Sequence, residues 1–219
     1  MSQPTGLDRA LARYVRAVDG FNRRIGRMMM YGIFVMLGIL LWSSISKTFF
    51  RPSLWTLEMA QFALTAYYIL GGPYSIQLGS NVRMDLLYGS WAPRTRAWVD
   101  AFSVFALIFY LAVMLHGAAI STAYALGHFG DAPWSFLGSL AVKFVTGGPD
   151  AVAAELGHLE RSYSSWRPYM WPIKTVMMLG IVLMLLQAVS EFCKDVMRLR
   201  GTLPPEFETA GEKVSGEVL

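Results

Sequence analysis

Four long apolar stretches, each close to the length needed to cross a bilayer, are the feature that most constrains this chain. They cover roughly residues 28–45, 54–78, 99–125 and 173–192. About 20 apolar residues in a helix span a hydrocarbon core about 30 Å thick. Only 16% of the 219 residues are charged, against about 25% in soluble domains. The sequence therefore predicts an all-α integral membrane protein with four transmembrane helices within residues 28–200.

Residues 1–27 precede the first span and are predicted to form an amphipathic helix on the membrane surface. From residue 7 onward, apolar side chains recur on one helical face: Leu7, Leu11, Val15, Val18, Phe21 and Ile25. The opposite face carries arginines that would contact anionic head groups: Arg9, Arg13, Arg16, Arg23, Arg24 and Arg27. The alternatives are a soluble amphipathic helix, disfavoured by the apolar span that follows, and a cleaved signal peptide, disfavoured because no small-residue cleavage site follows.

Two further segments are not expected to span the membrane. Residues 126–170 are predicted to form two short interfacial helices, over 134–146 and 149–160, because neither apolar run is long enough to cross. Residues 201–219 follow Gly201 and a Pro-Pro pair and are small, acidic and polar. This composition predicts a disordered tail.

The distribution of basic residues predicts the orientation. Thirteen of the 19 lysines and arginines lie in the N-terminal segment, in the connection between the second and third spans, and after the fourth span. Because basic residues are enriched in cytoplasmic segments, both termini are predicted to be cytoplasmic, with residues 126–170 on the opposite side. The basic pI of about 9.3 therefore reflects topology and does not indicate nucleic-acid binding.

Two ionisable residues stand inside the predicted spans. Glu58 lies about one turn inside the second span, and a carboxylate there is either functional and partner-facing or placed among head groups near a helix N-terminus. Lys174 begins the fourth span, where it either extends toward the interface or meets an acid on another helix. The first of these two alternatives is favoured.

The residue types disfavour a cofactor, a metal site and an enzyme. Cys193 is the single cysteine, which excludes an intrachain disulfide and a multi-cysteine metal site. His116 is alone within its span, whereas a b-type haem needs a second axial histidine on a facing helix. We therefore predict that His116 packs or forms an interhelical hydrogen bond.

Three short motifs carry a resemblance to a known family. Trp55-Thr56-Leu57-Glu58 opens the second span, Asn81-Val82-Arg83-Met84-Asp85-Leu86 follows it, and Arg94, Arg96 and Asp100 precede the third span. Together they resemble the small membrane subunit of tripartite ATP-independent periplasmic (TRAP) transporters, over residues 28–200. Asn81 stands where the family often has histidine. The approach to the fourth span, residues 165–174, is similar to a longer subgroup of the family.

The resemblance implies a bacterial inner-membrane protein that transports nothing by itself. In this family a large multispan subunit holds the substrate and sodium sites, and a periplasmic binding protein delivers the substrate, usually an organic acid. The small subunit braces the large one and contacts membrane lipids. The resemblance and the positions of these residues at span boundaries make them candidates for partner contacts or helix ends: Trp55, Glu58, Arg83, Asp85, Asp100 and Lys174.

Two other functional classes compete with an accessory subunit. A self-sufficient transporter or channel would need a polar stripe along at least two spans, and repeated broken helices typically build a transport site at the midplane. The sequence has neither. A membrane redox protein or enzyme would need a cysteine pair, a facing histidine pair or a metal motif, which are also missing from the sequence.

Overall fold

The structure, a computed structural model, describes residues 6–78, 93–200, 202 and 204–207, without the side chains of residues 93–98, 100, 101, 198, 199 and 205. The described chain contains six α-helices and one 3-10 turn, joined by loops. They are α1 Gly6–Met30, α2 Gly32–Phe49, α3 Thr56–Gln77, α4 Pro93–Ala125, α5 Pro133–Ala153, α6 Trp171–Leu199 and the turn Pro205–Phe207. No strand occurs in these parts of the chain, and the predicted all-α class is confirmed.

Three helical segments of the described chain are long and apolar enough to cross a membrane: Gly6–Phe49, Phe102–Ala125 and Trp171–Met197. The predicted second span forms α3 but is not among them. Its apolar run is interrupted by Glu58, Gln61 and Gln77, which lower its mean hydropathy. The described chain is therefore all-helical with three candidate membrane spans, and the count of four spans remains a prediction.

Two helices extend beyond the predicted spans. α4 extends from Pro93, ahead of the predicted start of the third span at residue 99, and proline suits the first turn of a helix. α6 continues to Leu199, past the predicted end at residue 192. This extension includes Lys194, a good helix former, whose ammonium group pairs with the carboxylate of Glu191 one turn earlier.

The segment between α4 and α6 differs from its prediction in its second half. α5 is broken at Gly148, whose φ of 73° lies in the left-handed region that glycine adopts most readily. The helical piece after the break ends at Ala153, so the helix predicted over 149–160 is too long. After Ala153 the chain bonds to the end of α4 instead of continuing the helix. The amide of Gly157 donates to the carbonyl of Leu126, and the amide of Glu160 donates to the carbonyl of Ala125, at 3.1 Å each.

The first of two compact units comprises Met1–Met28, Gly71–Leu111 and Leu183–Leu219. Its apolar core contains Val15, Cys193 and Met197. The buried side of α1 consists of Asp8, Val15, Asn22 and Gly26, spaced so that they share one helical face.

This buried stripe shares Val15 with the predicted apolar face of α1 and adds polar residues that the prediction did not include. Leu7 and Phe21 were expected on the apolar face and are 54% and 56% exposed, whereas Asp8 and Asn22 are buried. The reason is that α6 presents polar side chains to α1, and a buried polar side chain requires a hydrogen-bonding partner. The side of α1 that contacts α6 therefore contains both polar and apolar residues.

The predicted disordered tail also departs from the structure where residues are described. Pro205–Phe207 form a 3-10 turn, and Phe207 packs against the core around Val15. Residues 201, 203 and 208–219 lie outside the described residues.

The second compact unit comprises Met29–Leu70 and Ala112–Val182. Its apolar core contains Ala123 of α4 with Phe136 and Leu140 of α5, surrounded by partly buried apolar residues such as Val152 and Leu156. His116 accepts a hydrogen bond at Nδ1 from Trp134 Nε1, at 3.1 Å. The predicted interhelical hydrogen bond of His116 is thereby confirmed.

Candidate functional site

A buried polar cluster joins α1 and α6 in the first unit. Asn22 donates through Nδ2 to Gln187 Oε1 at 2.8 Å, and Gln187 donates through Nε2 to Asp19 Oδ1 at 2.9 Å. Ser190 Oγ donates to the same Asp19 oxygen at 2.8 Å. Hydrogen bonds of this kind are strengthened where water is excluded. The chain thus fixes its N-terminal helix through polar side chains.

Lys194 is the cation at the centre of this α1–α6 polar cluster. Its Nζ lies 2.7 Å from Asp19 Oδ2 and 2.8 Å from Glu191 Oε1, and the residue is only 5% exposed. Burial of an ammonium group is costly unless hydrogen bonds and opposite charges compensate. In the sequence, Lys194 was interpreted only as one of the basic residues that predict the orientation in the membrane. The signal that could have identified the cluster is the spacing of Gln187, Ser190 and Lys194 along one helical face.

Two weaker ion pairs add to the contact between α1 and the C-terminal segment. Arg16 pairs with Glu206 at 2.5 Å, with both side chains at least half exposed. Arg200 lies 3.7 Å from Asp8. Exposed pairs of this type contribute about 0–1 kcal/mol, so the buried cluster dominates the stability of this contact.

Glu58 lies in the first turn of α3, within the second unit, and is 8% exposed. Its Oε1 accepts a hydrogen bond from Ser162 Oγ at 2.6 Å, which ties the loop before α6 to the start of α3. Within the described residues, its Oε2 is buried without a hydrogen-bond partner. Trp55, one turn earlier, is 39% exposed. The two residues of the Trp-x-x-Glu motif therefore have different surroundings: the ring of Trp55 is exposed, and the carboxylate of Glu58 is buried and hydrogen-bonded within the chain.

The bond between Ser162 and Glu58 leads to a test. Replacing Ser162 with alanine is expected to lower the free energy of unfolding by about 1–3 kcal/mol, because it leaves a buried carboxylate unsatisfied. Unfolding in a detergent–denaturant titration measures the effect. Ser165→Ala removes an exposed hydroxyl of the same loop and serves as the matched control. Equal stabilities of the two variants would contradict a structural role for this bond.

Lys174 does not take the outward position that the sequence favoured. Its Nζ is hydrogen-bonded to Glu160 Oε2, its side chain is 18% exposed, and it lies 5.7 Å from the ring centroid of Tyr124. The acid that it meets lies in the loop before α6 and not on another helix. Lys174 therefore fixes this loop to the first turn of α6.

An open cleft of about 410 Å³ lies beside this lysine. Three aromatic residues and four polar residues line it: Tyr124, Phe129 and Tyr163, with His158, Glu160, Arg161 and Arg167. The sequence analysis did not single out this combination, because its members come from the end of α4 and from two separate parts of the following segment. Among the described residues, no group of three histidine, cysteine, aspartate or glutamate side chains is placed to hold a metal ion.

The remaining predicted residues are distributed as follows. Arg83 and Asp85 lie outside the described residues, and Asp100 is in α4 with its side chain outside them. The arginines predicted to contact the membrane surface are exposed on α1: Arg9, Arg13, Arg16, Arg23, Arg24 and Arg27. These arginines belong to the first unit, whereas Trp55, Glu58 and Lys174 belong to the second.

Comparison with known families gives one match. Residues 36–136 match the family model described as "Tripartite ATP-independent periplasmic transporters, DctQ component". No curated protein and no solved structure matches the chain. The matched range includes Trp55, Glu58 and the Val-Arg-x-Asp element, and it confirms the resemblance that these residues suggested.

Proposed function

We propose, from the match of residues 36–136 to the DctQ component family, that this chain is a small membrane subunit of a TRAP transporter and braces the large transport subunit. The family match carries this proposal. In it the large subunit holds the substrate and sodium sites, and a periplasmic binding protein delivers an organic acid. The small subunit lies in a bacterial inner membrane with four spans, namely the three long apolar segments and α3, and with both termini in the cytoplasm.

The exposed apolar surface of α2 supports an accessory role within a membrane. In this helix, all of whose residues are described, Ser46 alone is buried. Large apolar side chains are exposed around the helix: Ile33, Phe34, Val35, Leu37, Leu40, Leu41, Trp42 and Ile45. Contiguous exposed apolar surface on this scale marks contact with lipid or with another protein. α2 therefore offers surface to the bilayer and to the large subunit.

The predicted interface residues take different roles in this proposal. Trp55 contacts the large subunit together with its exposed neighbours Leu54 and Leu57, since aromatic anchors are enriched in interfaces. Glu58 and Lys174 hold the loop that supports this surface. Arg83, Asp85 and Asp100 are proposed, from the family resemblance, to mark helix ends or to bind the large subunit.

The two ends of the subunit take different partners in this proposal. The exposed arginines of α1 bind anionic head groups on the cytoplasmic side, where basic side chains are attracted to the membrane surface. The segment over 134–167 faces the periplasm and contributes to docking of the binding protein.

Co-purification and reconstituted uptake test the proposal. When the chain is expressed together with the large subunit that is encoded beside it, the two are expected to co-purify as a complex. A Trp55→Ala/Leu57→Ala variant should reduce co-purification at least about tenfold, because interface anchors commonly contribute 2 kcal/mol or more. Val145→Ala, which shortens an exposed side chain of α5, is the control.

Uptake separates the accessory role from a self-sufficient transporter. Sodium-dependent uptake of an organic acid is expected only when the large subunit and the binding protein are both present. Sodium-dependent uptake by this chain reconstituted alone would refute the accessory role.

A further inference from the structure

The cleft beside α6 carries two arginines without a partner acid among the described residues. Glu160 is the one acid in its lining, and this carboxylate is already hydrogen-bonded to Lys174. The guanidinium group of Arg161 bonds to the hydroxyl of Tyr169, a neutral partner. For the Arg167 guanidinium, the described chain provides no ion pair. The lining therefore has an excess of positive charge.

The loop that presents these arginines is held by its own bonds. Arg161 and Tyr169 form an antiparallel bridge, and the Ser162 amide donates to the Pro168 carbonyl at 2.9 Å. The Met170 amide donates to the Glu160 carbonyl at 3.1 Å. A site that is ordered before binding loses less conformational entropy when a ligand arrives.

Arg161 and Arg167 are fixed in different ways. The Arg161 guanidinium stacks on Tyr169, with its Cζ 4.4 Å from the ring centroid, which restricts its orientation. Arg167 has a φ of 51°, an unfavourable left-handed conformation for a residue with a side chain. Its amide donates to Ser164 Oγ at 3.2 Å. Strained backbone that is held by surrounding bonds is concentrated at functional positions.

We propose that this cleft binds a carboxylate group of an organic ligand, with Arg161 and Arg167 as its counterions. Guanidinium groups match the planar geometry of a carboxylate and donate two parallel hydrogen bonds to it. Tyr124 and Phe129 pack edge to face with ring centroids 5.0 Å apart, and together with the exposed ring of Tyr163 they line the cleft. An inorganic anion could not use this aromatic surface. The volume of the cleft lies within the range of small-molecule sites, about 300–1,000 Å³. The site does not depend on the proposed bracing role.

Two probes distinguish a free organic acid from an acidic side chain of another protein. Benzoate represents the free acid, with neutral benzamide as its comparison. The capped peptide acetyl-Gly-Glu-Gly-amide represents the side chain, with acetyl-Gly-Gln-Gly-amide as its comparison. Each probe is titrated into the full chain in neutral-lipid nanodiscs and followed by ligand-observed NMR. At least one anionic probe is expected to bind more tightly than its neutral comparison, and to weaken as salt screens the charges.

Variants of the cleft test which residues bind the probe. Arg167→Gln is expected to weaken binding at least about tenfold. It removes charge-assisted hydrogen bonds to the carboxylate, which contribute more than hydrogen bonds between neutral groups. Arg167→Lys should retain part of the affinity. Arg51→Gln, an exposed arginine that does not line the cleft, should leave binding unchanged. If neither anionic probe binds better than its neutral comparison, or if Arg167→Gln binds as the unaltered chain does, the proposal is wrong.

Discussion

Replacing Lys194 with alanine is expected to lower the free energy of unfolding by about 3–5 kcal/mol, the typical cost of removing one partner of a buried ion pair. Lys194 is 5% exposed and bonds at once to Asp19 and Glu191. Its removal leaves two carboxylates with no ammonium group between them. Unfolding in mixed micelles with increasing SDS, followed by circular dichroism, measures the loss.

A matched variant distinguishes this effect from a change in net charge. Arg24→Ala also removes one positive charge, but from an exposed position on α1, and it is expected to change stability by about 0.5 kcal/mol or less. The double variant Asp19→Asn/Lys194→Met should recover part of the stability, because it no longer leaves the Asp19 carboxylate unpaired. If Lys194→Ala and Arg24→Ala were equally stable, the α1–α6 polar cluster would not hold α1 in place.

Replacing Gly26 with alanine is expected to destabilise the first unit by about 1–3 kcal/mol through overpacking. A Cβ at this position would lie 2.3 Å from Cβ and 2.4 Å from Cγ of Tyr74 in α3. These atoms are next to the Tyr74 backbone, so they move only if the helices separate. The same unfolding titration measures the change.

Gly20 provides the control within the same helix. A Cβ at Gly20 would have no neighbour within 4 Å, and alanine favours the helix over glycine by about 1 kcal/mol. Gly20→Ala is therefore expected to be neutral or stabilising. A Gly26→Ala variant as stable as Gly20→Ala would show that α1 does not approach α3 closely at this position.

The local arrangement of the candidate site was only partly accessible from the sequence. The apolar pattern predicted that Glu58 lies about one turn inside the second span, whereas its bond to Ser162 joins residues 104 apart in the chain. Likewise, the apolar pattern of α1 predicted a helix but did not predict that Asp8 and Asn22 are buried. Periodicity records which residues share a face, and it does not state whether a neighbouring helix presents polar or apolar groups to that face.

The sequence alone predicted the helical class, the candidate membrane spans and the resemblance to the DctQ component family over residues 36–136, because apolar length and short motifs are local properties of the chain. The sequence also predicted where most of the helices lie along the chain. Only the tertiary structure decided that Asp19 meets Ser190, 171 residues away, that α5 ends at Ala153, and that two arginines meet aromatic side chains in one cleft. Such pairings depend on which distant groups satisfy one another's charges and hydrogen bonds, and that information lies in the packing of the whole chain.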